Sequence, residues 1–286
     1  MYKNKNIILF AFASLDLKRS VERLKDQALK SKHYDDIKII TPNDFDYDTK
    51  CKFKNLVKKR GYGYWFWKPF LLTKIMKEIN YGDIVHYLDV GCHINKTKSN
   101  RFNEYLDLII DEDKWLLAFQ YHKKDIKFSN EIKFLKREEF KYTKCDLFDY
   151  FECLHEKKIT HTSQFWAGNF FIKKHKKSEN FLKKWNKVFD KNFHLVDDTP
   201  SKIPNFNGFL ENRHDQSVFS LLCKKNFIVS LSAYECEWGE KNNLRTWEHA
   251  LGNPILAKRD LQYNIFKRFL DRQKKNFRRI KRKFYE

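Results

Sequence analysis

The chain has 286 residues, enough for one large α/β domain or two small ones and for a substantial core. With 42% hydrophobic residues and 27 Phe it is not a disordered chain, and its formal charge of +21 makes it strongly basic. Its six cysteines (51, 92, 145, 153, 223 and 236) show no CxxC pairing. That argues against a zinc site or a disulfide framework and for reduced thiols in a cytosolic protein.

No apolar run approaches the roughly 20 residues of a membrane span. The opening MYKNKNIILFAFASLDL has the charge-then-apolar order of a signal peptide, but Asp16 and a charged amphipathic run follow at once. The expectation is a first β-strand. Ile7–Ala13 reads as that strand, buried on both faces as in a parallel sheet. Leu17, Val21, Leu24 and Ala28 follow at helical spacing, and Ile37–Ile40 is a second strand closed by Thr-Pro-Asn-Asp. This β-α-β opening predicts a right-handed crossover.

Phe53, Leu56 and Val57 predict a short helix before Arg60. Pro69 suits the first turn of a helix whose core face is Phe70, Leu71, Ile75, Met76 and Ile79. Ile84–Leu88 is a strand that delivers Asp89. Helical spacing returns at Phe102, Tyr105, Leu106 and Ile109, and Trp115–Phe119 is another strand. In the charged stretch 120–160 only Asp146–Cys153 reads as helix. Ser163–Ile172 predicts a strand interrupted at Gly168, and Phe181, Trp185, Val188 and Phe189 a helix. After a Pro- and Asn-rich loop, Glu211–Cys223 reads as helix and Phe227–Leu231 as strand. Alternating strands and helices argue one α/β sandwich.

The chemistry concentrates at two places. Asp89 ends a buried strand, where open α/β sheets present ligand-handling groups; followed by Val90-Gly91, it also suits a turn. Lys68 opens the preceding helix beside Trp65 and Trp67, whose rings suit either the core or stacking on a base or sugar. His214-Asp215-Gln216 opens an apolar helix, a position that favours anions; the competing reading makes Asp215 a cap for the backbone. Leu88-Asp89-Val90-Gly91-Cys92 also begins like the first loop of S-adenosylmethionine enzymes. That loop needs further small residues, and His93 is bulky.

RGYGYWFWKP, GDIVHYLDVGCHIN, QFWAGNFFI and NRHDQSVFSLL occur in this order over roughly residues 5–240. With these blocks the chain resembles a bacterial glycosyltransferase group with a GT-A-like fold that builds capsule, lipooligosaccharide or O-antigen chains. The resemblance implies a single nucleotide-binding sandwich with a mostly parallel sheet and a nucleoside-diphosphate sugar as donor. It places Tyr87–Gly91 at the Asp-x-Asp motif, with Asp89 as first acid and Gly91 where the second would stand. Under this reading the residue types assign Asp89, Lys68, Trp67, Ser14 and Arg213 to the donor, with a solvated helix-start lysine as the competing reading of Lys68. They assign Gln164, Trp166 and Gly168 to a sugar acceptor lying flat along a strand edge, with core packing as the competing reading. Asp215 and Gln216 would be catalytic, Asp215 as base or as the group beneath the sugar. Asp89 and His214 would be ligands of Mn2+ or Mg2+.

Residues 258–286 form a different segment. They carry 12 Lys/Arg against 3 Asp/Glu, and Ile265, Phe266, Phe269, Leu270, Phe277, Ile280 and Phe284 recur at roughly helical spacing. A basic helix with one apolar stripe suits an anionic membrane surface; packing on the domain or a nucleic-acid arm are the competing readings. The expectation is a domain over 1–257 and a basic helical tail over 258–286. The protein would be cytoplasmic and peripheral on the inner face of the inner membrane, acting on a glycan or lipid-linked glycan. No nucleic-acid motif appears in the body; a methyltransferase or a nucleic-acid-binding protein are the alternatives.

Overall fold

The computed structural model describes residues 1–122, 126, 130–226, 228–258 and 273. The first half contains β1 (Ile7–Phe12), α1 (Lys18–Ser31), β2 (Asp36–Ile40), α2 (Tyr47–Phe53), α3 (Arg60–Tyr64), α4 (Trp67–Glu78), β3 (Ile84–Leu88), β4 (His93–Ile94), α5 (Ser99–Ile110) and β5 (Leu116–Gln120). The second half contains α6 (Glu139–Tyr142), α7 (Cys145–Tyr150), α8 (Lys157–Thr160), β6 (Phe165–Lys173), α9 (Lys176–Lys191), α10 (Asp215–Lys225), β7 (Val229–Ser232), β8 (Gly239–Lys241), β9 (Leu244–Thr246) and β10 (Ile255–Leu256).

Six strands make the central sheet in the order β2-β1-β3-β6-β5-β7. Alternation along β1 shows why the sheet is covered twice. Ile8, Phe10 and Phe12 enter one core layer, Ile7, Leu9 and Ala11 the other. The first layer takes Leu72 and Ile75 of α4, Trp185 of α9 and Leu221 of α10. The second takes Leu24 of α1 and Phe102, Tyr105 and Ile109 of α5. Each side chain so buried contributes roughly 1.5–3 kcal/mol.

The sheet is mostly parallel, as expected, with one reversed strand: β1 pairs in parallel with β2 and β3, and β5 with β7, while β6 runs antiparallel to both β3 and β5. Other expectations are corrected. The helix before Arg60 lies earlier, at α2, because Asp46 Oδ1 accepts from Thr49 N at 2.8 Å and starts it there. The last helix begins at Asp215 and not at Glu211, because His214 has φ 52°, ψ −118°. Strand β6 is continuous through Gly168, yet its register with β5 jumps from Phe170↔Ala118 to Trp166↔Phe119. The extra residues 167–169 are a bulge, which re-aims backbone groups at a sheet end. All but residues 258 and 273 of the expected basic tail lie outside the described residues. No helix among the described residues is long and apolar enough to cross a membrane.

Candidate active site

Because β1 and β3 are parallel neighbours, their C-terminal ends reach one edge of the sheet, and antiparallel β6 brings its bulge to the same edge. Asp89 follows β3 there. Its Oδ1 accepts from the Tyr87 hydroxyl at 2.6 Å, and its backbone N–H donates to Gly168 O at 2.8 Å. Burial, with Asp89 beside it, pushes the Tyr87 hydroxyl well above the usual phenol range, so it stays a donor. A Cβ on Gly168 would lie 2.4 Å from Trp166 Nε1 and 2.7 Å from Asp89 Oδ2. Only glycine lets β6 pass so close to this carboxylate.

Lys68, in the first turn of α4, has a side chain only 3% exposed. Its Nζ donates to Asp215 Oδ2 at 2.5 Å and to Ala167 O, in the bulge, at 2.9 Å. It also lies 4.8 Å from the centre of the Tyr87 ring, a cation–π contact. Asp215 opens α10 and is 5% exposed. Burial pushes its carboxyl up to about 6 against the pull of Lys68, and the charge of Asp89 adds to the rise. Asp215 is not the N-cap of α10: that position is His214, whose side chain caps nothing. The structure therefore gathers Lys68, Asp89 and Asp215 into one polar centre, with Lys68 and Asp215 buried and Asp89 half-buried.

Gln216 is held by a chain of bonds that sequence patterns do not show. Its Nε2 donates to Gln164 Oε1 at 2.9 Å. Gln164 Nε2 donates in turn to Glu139 Oε2 at 2.9 Å and Thr143 Oγ1 at 3.1 Å. Glu139 is fully buried, with Lys224 Nζ 3.2 Å from its other oxygen. This fixes both amides, so Gln216 turns its Oε1, an acceptor, away from Gln164. Gln164 thus sits inside the fold beneath Gln216. A second buried chain anchors the bulge: Tyr34 OH to His86 Nδ1 at 2.8 Å, then His86 Nε2 to Asn169 Oδ1 at 2.8 Å. Burial drives His86 down to about 3, so the ring is neutral and relays hydrogen bonds only.

The other expected site residues lie as follows. Trp67 is buried, stacked on Phe12 with centroids 4.3 Å apart, and its Nε1 donates to Gly61 O at 3.0 Å. Trp166 is buried in the layer on the opposite face of the sheet. Ser14, just past β1, donates to Asp16 Oδ1 at 2.5 Å. Arg213 has its Nε 2.9 Å from Glu211 Oε1 and its guanidinium 4.6 Å over the Tyr142 ring. His214 places Nδ1 2.6 Å from Val196 O and stacks on Trp65 at 5.6 Å. Tyr87 was missed by sequence reasoning, although Tyr-Leu-Asp places it two residues from Asp89 on the same strand face.

Among the described residues no three His, Cys, Asp or Glu side chains converge as a ligand set. Asp215 is bonded to an ammonium, while His214 gives Nδ1 to a carbonyl and keeps Nε2 unpartnered. The positive charge offered at this edge is that of Lys68.

No protein-family model and no curated protein matches the chain. Solved structures to which the chain is similar include a glycosyltransferase involved in the glycosylation of the major capsid of PBCV-1, at 9% identity and TM-score 0.46, covering 88% of this chain and 93% of that one. The galactosyltransferase LgtC in complex with donor and acceptor sugar analogs follows at 14% identity and TM-score 0.42, covering 81% and 75%. The apo form of the glycosyltransferase GlyE from Streptococcus pneumoniae TIGR4 shares 16% identity at TM-score 0.39, covering 80% of this chain and 46% of GlyE, so the chain spans about half of that protein. At these identities and TM-scores the likenesses carry no argument for this chain, and both fold and site rest on its own residues.

Proposed function

We propose that this chain is a glycosyltransferase that moves a hexosyl or pentosyl group from a nucleoside-diphosphate sugar onto a surface-glycan acceptor. The observation that carries the proposal is the Lys68–Asp215 pair, buried beside Asp89 at the sheet edge where β1 and β3 end. In the transition state the anomeric carbon gains positive charge and the departing diphosphate gains negative charge. A buried ammonium, a buried carboxylate and the half-buried Asp89 supply fixed partners of both signs, with little solvent to reorganise at the pair. The acceptor oxygen bonds to the anomeric carbon, the carbon–oxygen bond to the diphosphate breaks, and the electron pair leaves with the nucleotide. A carboxyl near 6 is ionised at neutral pH yet basic enough to take the acceptor's proton, which suits Asp215 as general base. In a retaining reaction the same carboxylate would instead lie beneath the sugar. Lys68 then stabilises the leaving diphosphate, and Asp89 binds the ribose.

The acceptor class (capsule, lipooligosaccharide or O-antigen) is supported by the four sequence blocks. A cytoplasmic location at the inner membrane face is supported by the basic, Phe-striped composition of residues 258–286. The experiment is a thermal-shift screen of nucleotide sugars with wild type and Asp89→Asn. A ligand at 100 times its Kd stabilises by about 2.7 kcal/mol. At least one donor should shift the wild type and fail to shift the variant; a panel that shifts neither protein would overturn the proposal.

A further inference from the structure

Asp198 stands in the wall of a cavity of about 220 Å3, which is also lined by Arg60, Lys144, Asp197, Glu211 and Asn212. Its Oδ1 lies 3.8 Å from Nε2 of His214, the residue before Asp215. Two acceptors without a donor lie here, Asn212 in the lining and His214 behind Asp198. His214 Nδ1 faces the Val196 carbonyl at 2.6 Å, and a carbonyl only accepts, so Nδ1 carries the ring hydrogen. Burial lowers the imidazole's pKa, the ring is neutral, and Nε2 is a bare acceptor with no partner. Asn212 gives its Nδ2 to Leu195 O at 3.1 Å, while its Oδ1 is buried and equally unpartnered. The two residues are 2% and 7% exposed. A buried acceptor left unpaired costs about 1–3 kcal/mol.

The backbone around the cavity is strained as well. His214 has φ 52°, and Tyr62, Tyr64 and Trp65, in the turn that starts at Arg60, all have positive φ. Such conformations persist where the surrounding structure enforces them, and they concentrate at ligand sites. Here they press the Trp65 ring onto His214 and bring the Tyr64 hydroxyl to Asp198 at 3.0 Å. The Asp198 side chain is 56% exposed, so it has room to turn and open the way to Nε2.

The cavity therefore offers a bare acceptor in Asn212, carboxylates and two cations side by side, with His214 Nε2 behind Asp198. That mixture suits a ring of hydroxyls, each of which both donates and accepts. Its lining comes from residue 60 and residues 144–212, not from the ends of β1 and β3 where Ser14 and Asp89 sit. We propose that it is the acceptor-sugar subsite, in which ring hydroxyls donate to His214 Nε2, Asn212 Oδ1 and Asp198. The role as acceptor site rests on the glycosyl-transfer reading; the affinity for a sugar ring does not.

The test uses the full chain, the α- and β-methyl glycosides of glucose, galactose and mannose, and two variants. Ser201→Trp fills the cavity, and Asp198→Asn keeps its shape but removes a charge. In saturation-transfer NMR at least one glycoside should bind wild type, lose most of its signal with Ser201→Trp and weaken with Asp198→Asn. With a donor that is turned over, the glycoside KM should rise about tenfold while the donor KM stays within about twofold. If no glycoside binds wild type, or if Ser201→Trp binds as well as wild type, the subsite is refuted. Should Ser201→Trp fail to fold, undiminished binding by Asp198→Asn refutes it alone. Absence of any donor turnover would sink the glycosyltransferase reading, and the glycoside signals would still decide the subsite.

Discussion

Asp215 gives the sharpest prediction, because its environment sets both the sign and the size of a pH effect. Burial raises its carboxyl from 3.8 to about 6 although Lys68 lies 2.5 Å away. At 1.36 kcal/mol per pKa unit, that rise is worth about 3 kcal/mol. The sign follows from linkage: with the folded value above the unfolded one, the folded chain binds the proton more tightly. The stabilisation is fully present below 3.8 and is lost as pH rises through about 6. Between pH 8 and pH 4.5 it amounts to about 2 kcal/mol. Asp215→Asn lacks this titration, so urea unfolding of both proteins across that range isolates it. Wild type should gain about 2 kcal/mol on the variant as pH falls. In Lys68→Met the same curve should move to higher pH, because the lysine holds the value down. A difference independent of pH would refute the buried carboxyl. A wild type that loses stability relative to Asp215→Asn on acidification would make the pair an ordinary structural ion pair.

Four further outcomes follow. Asp89→Asn should leave the urea midpoint nearly unchanged, since Asn still accepts from Tyr87, while calorimetry shows nucleotide-sugar binding falling at least tenfold, about 1.4 kcal/mol. Gly168→Ala should cost about 1–3 kcal/mol in a melt and raise the donor KM, because its Cβ would displace Asp89 Oδ2, 2.7 Å away. Gln164→Leu should destabilise by about 1–3 kcal/mol, since Glu139 loses a donor in the interior, and should lower kcat more than it raises the donor KM as Gln216 is released. Truncation after Ala257 should abolish co-sedimentation with anionic vesicles, where each tail Lys/Arg contributes about 1 kcal/mol near the surface; unchanged sedimentation would remove the membrane role.

What the sequence revealed depended on how local each feature is. The strand Ile84–Leu88 and the carboxylate after it were legible because a mostly apolar run ends on a charge, with Gly91 two residues on. Lys68 was legible as a helix-start residue because Pro69 marks that turn. The direction of β6 was not: FWAGNFFIK is buried along its whole length and reads alike in either orientation. Nor was the late start of α10, since it turns on the positive φ of His214, whose ring meets Trp65 and Val196 from elsewhere in the chain. The Glu139–Gln164–Gln216 chain spans residues with no periodic signal between them. The cavity beside His214 is built from residue 60 and residues 144–212, a juxtaposition that only the fold creates.

The central claim is that the buried Lys68–Asp215 pair beside Asp89 transfers glycosyl groups from a nucleotide. The measurement that tests it most directly is nucleotide release from a panel of nucleotide sugars, run at pH 7.5 with wild type and Asp215→Asn, each first shown to be folded. The prediction is steady release from at least one donor by wild type and a loss of about 100-fold or more in the variant, the scale of a general base. Wild type that releases nucleotide from none of the donors, or a variant that matches wild type, would contradict it.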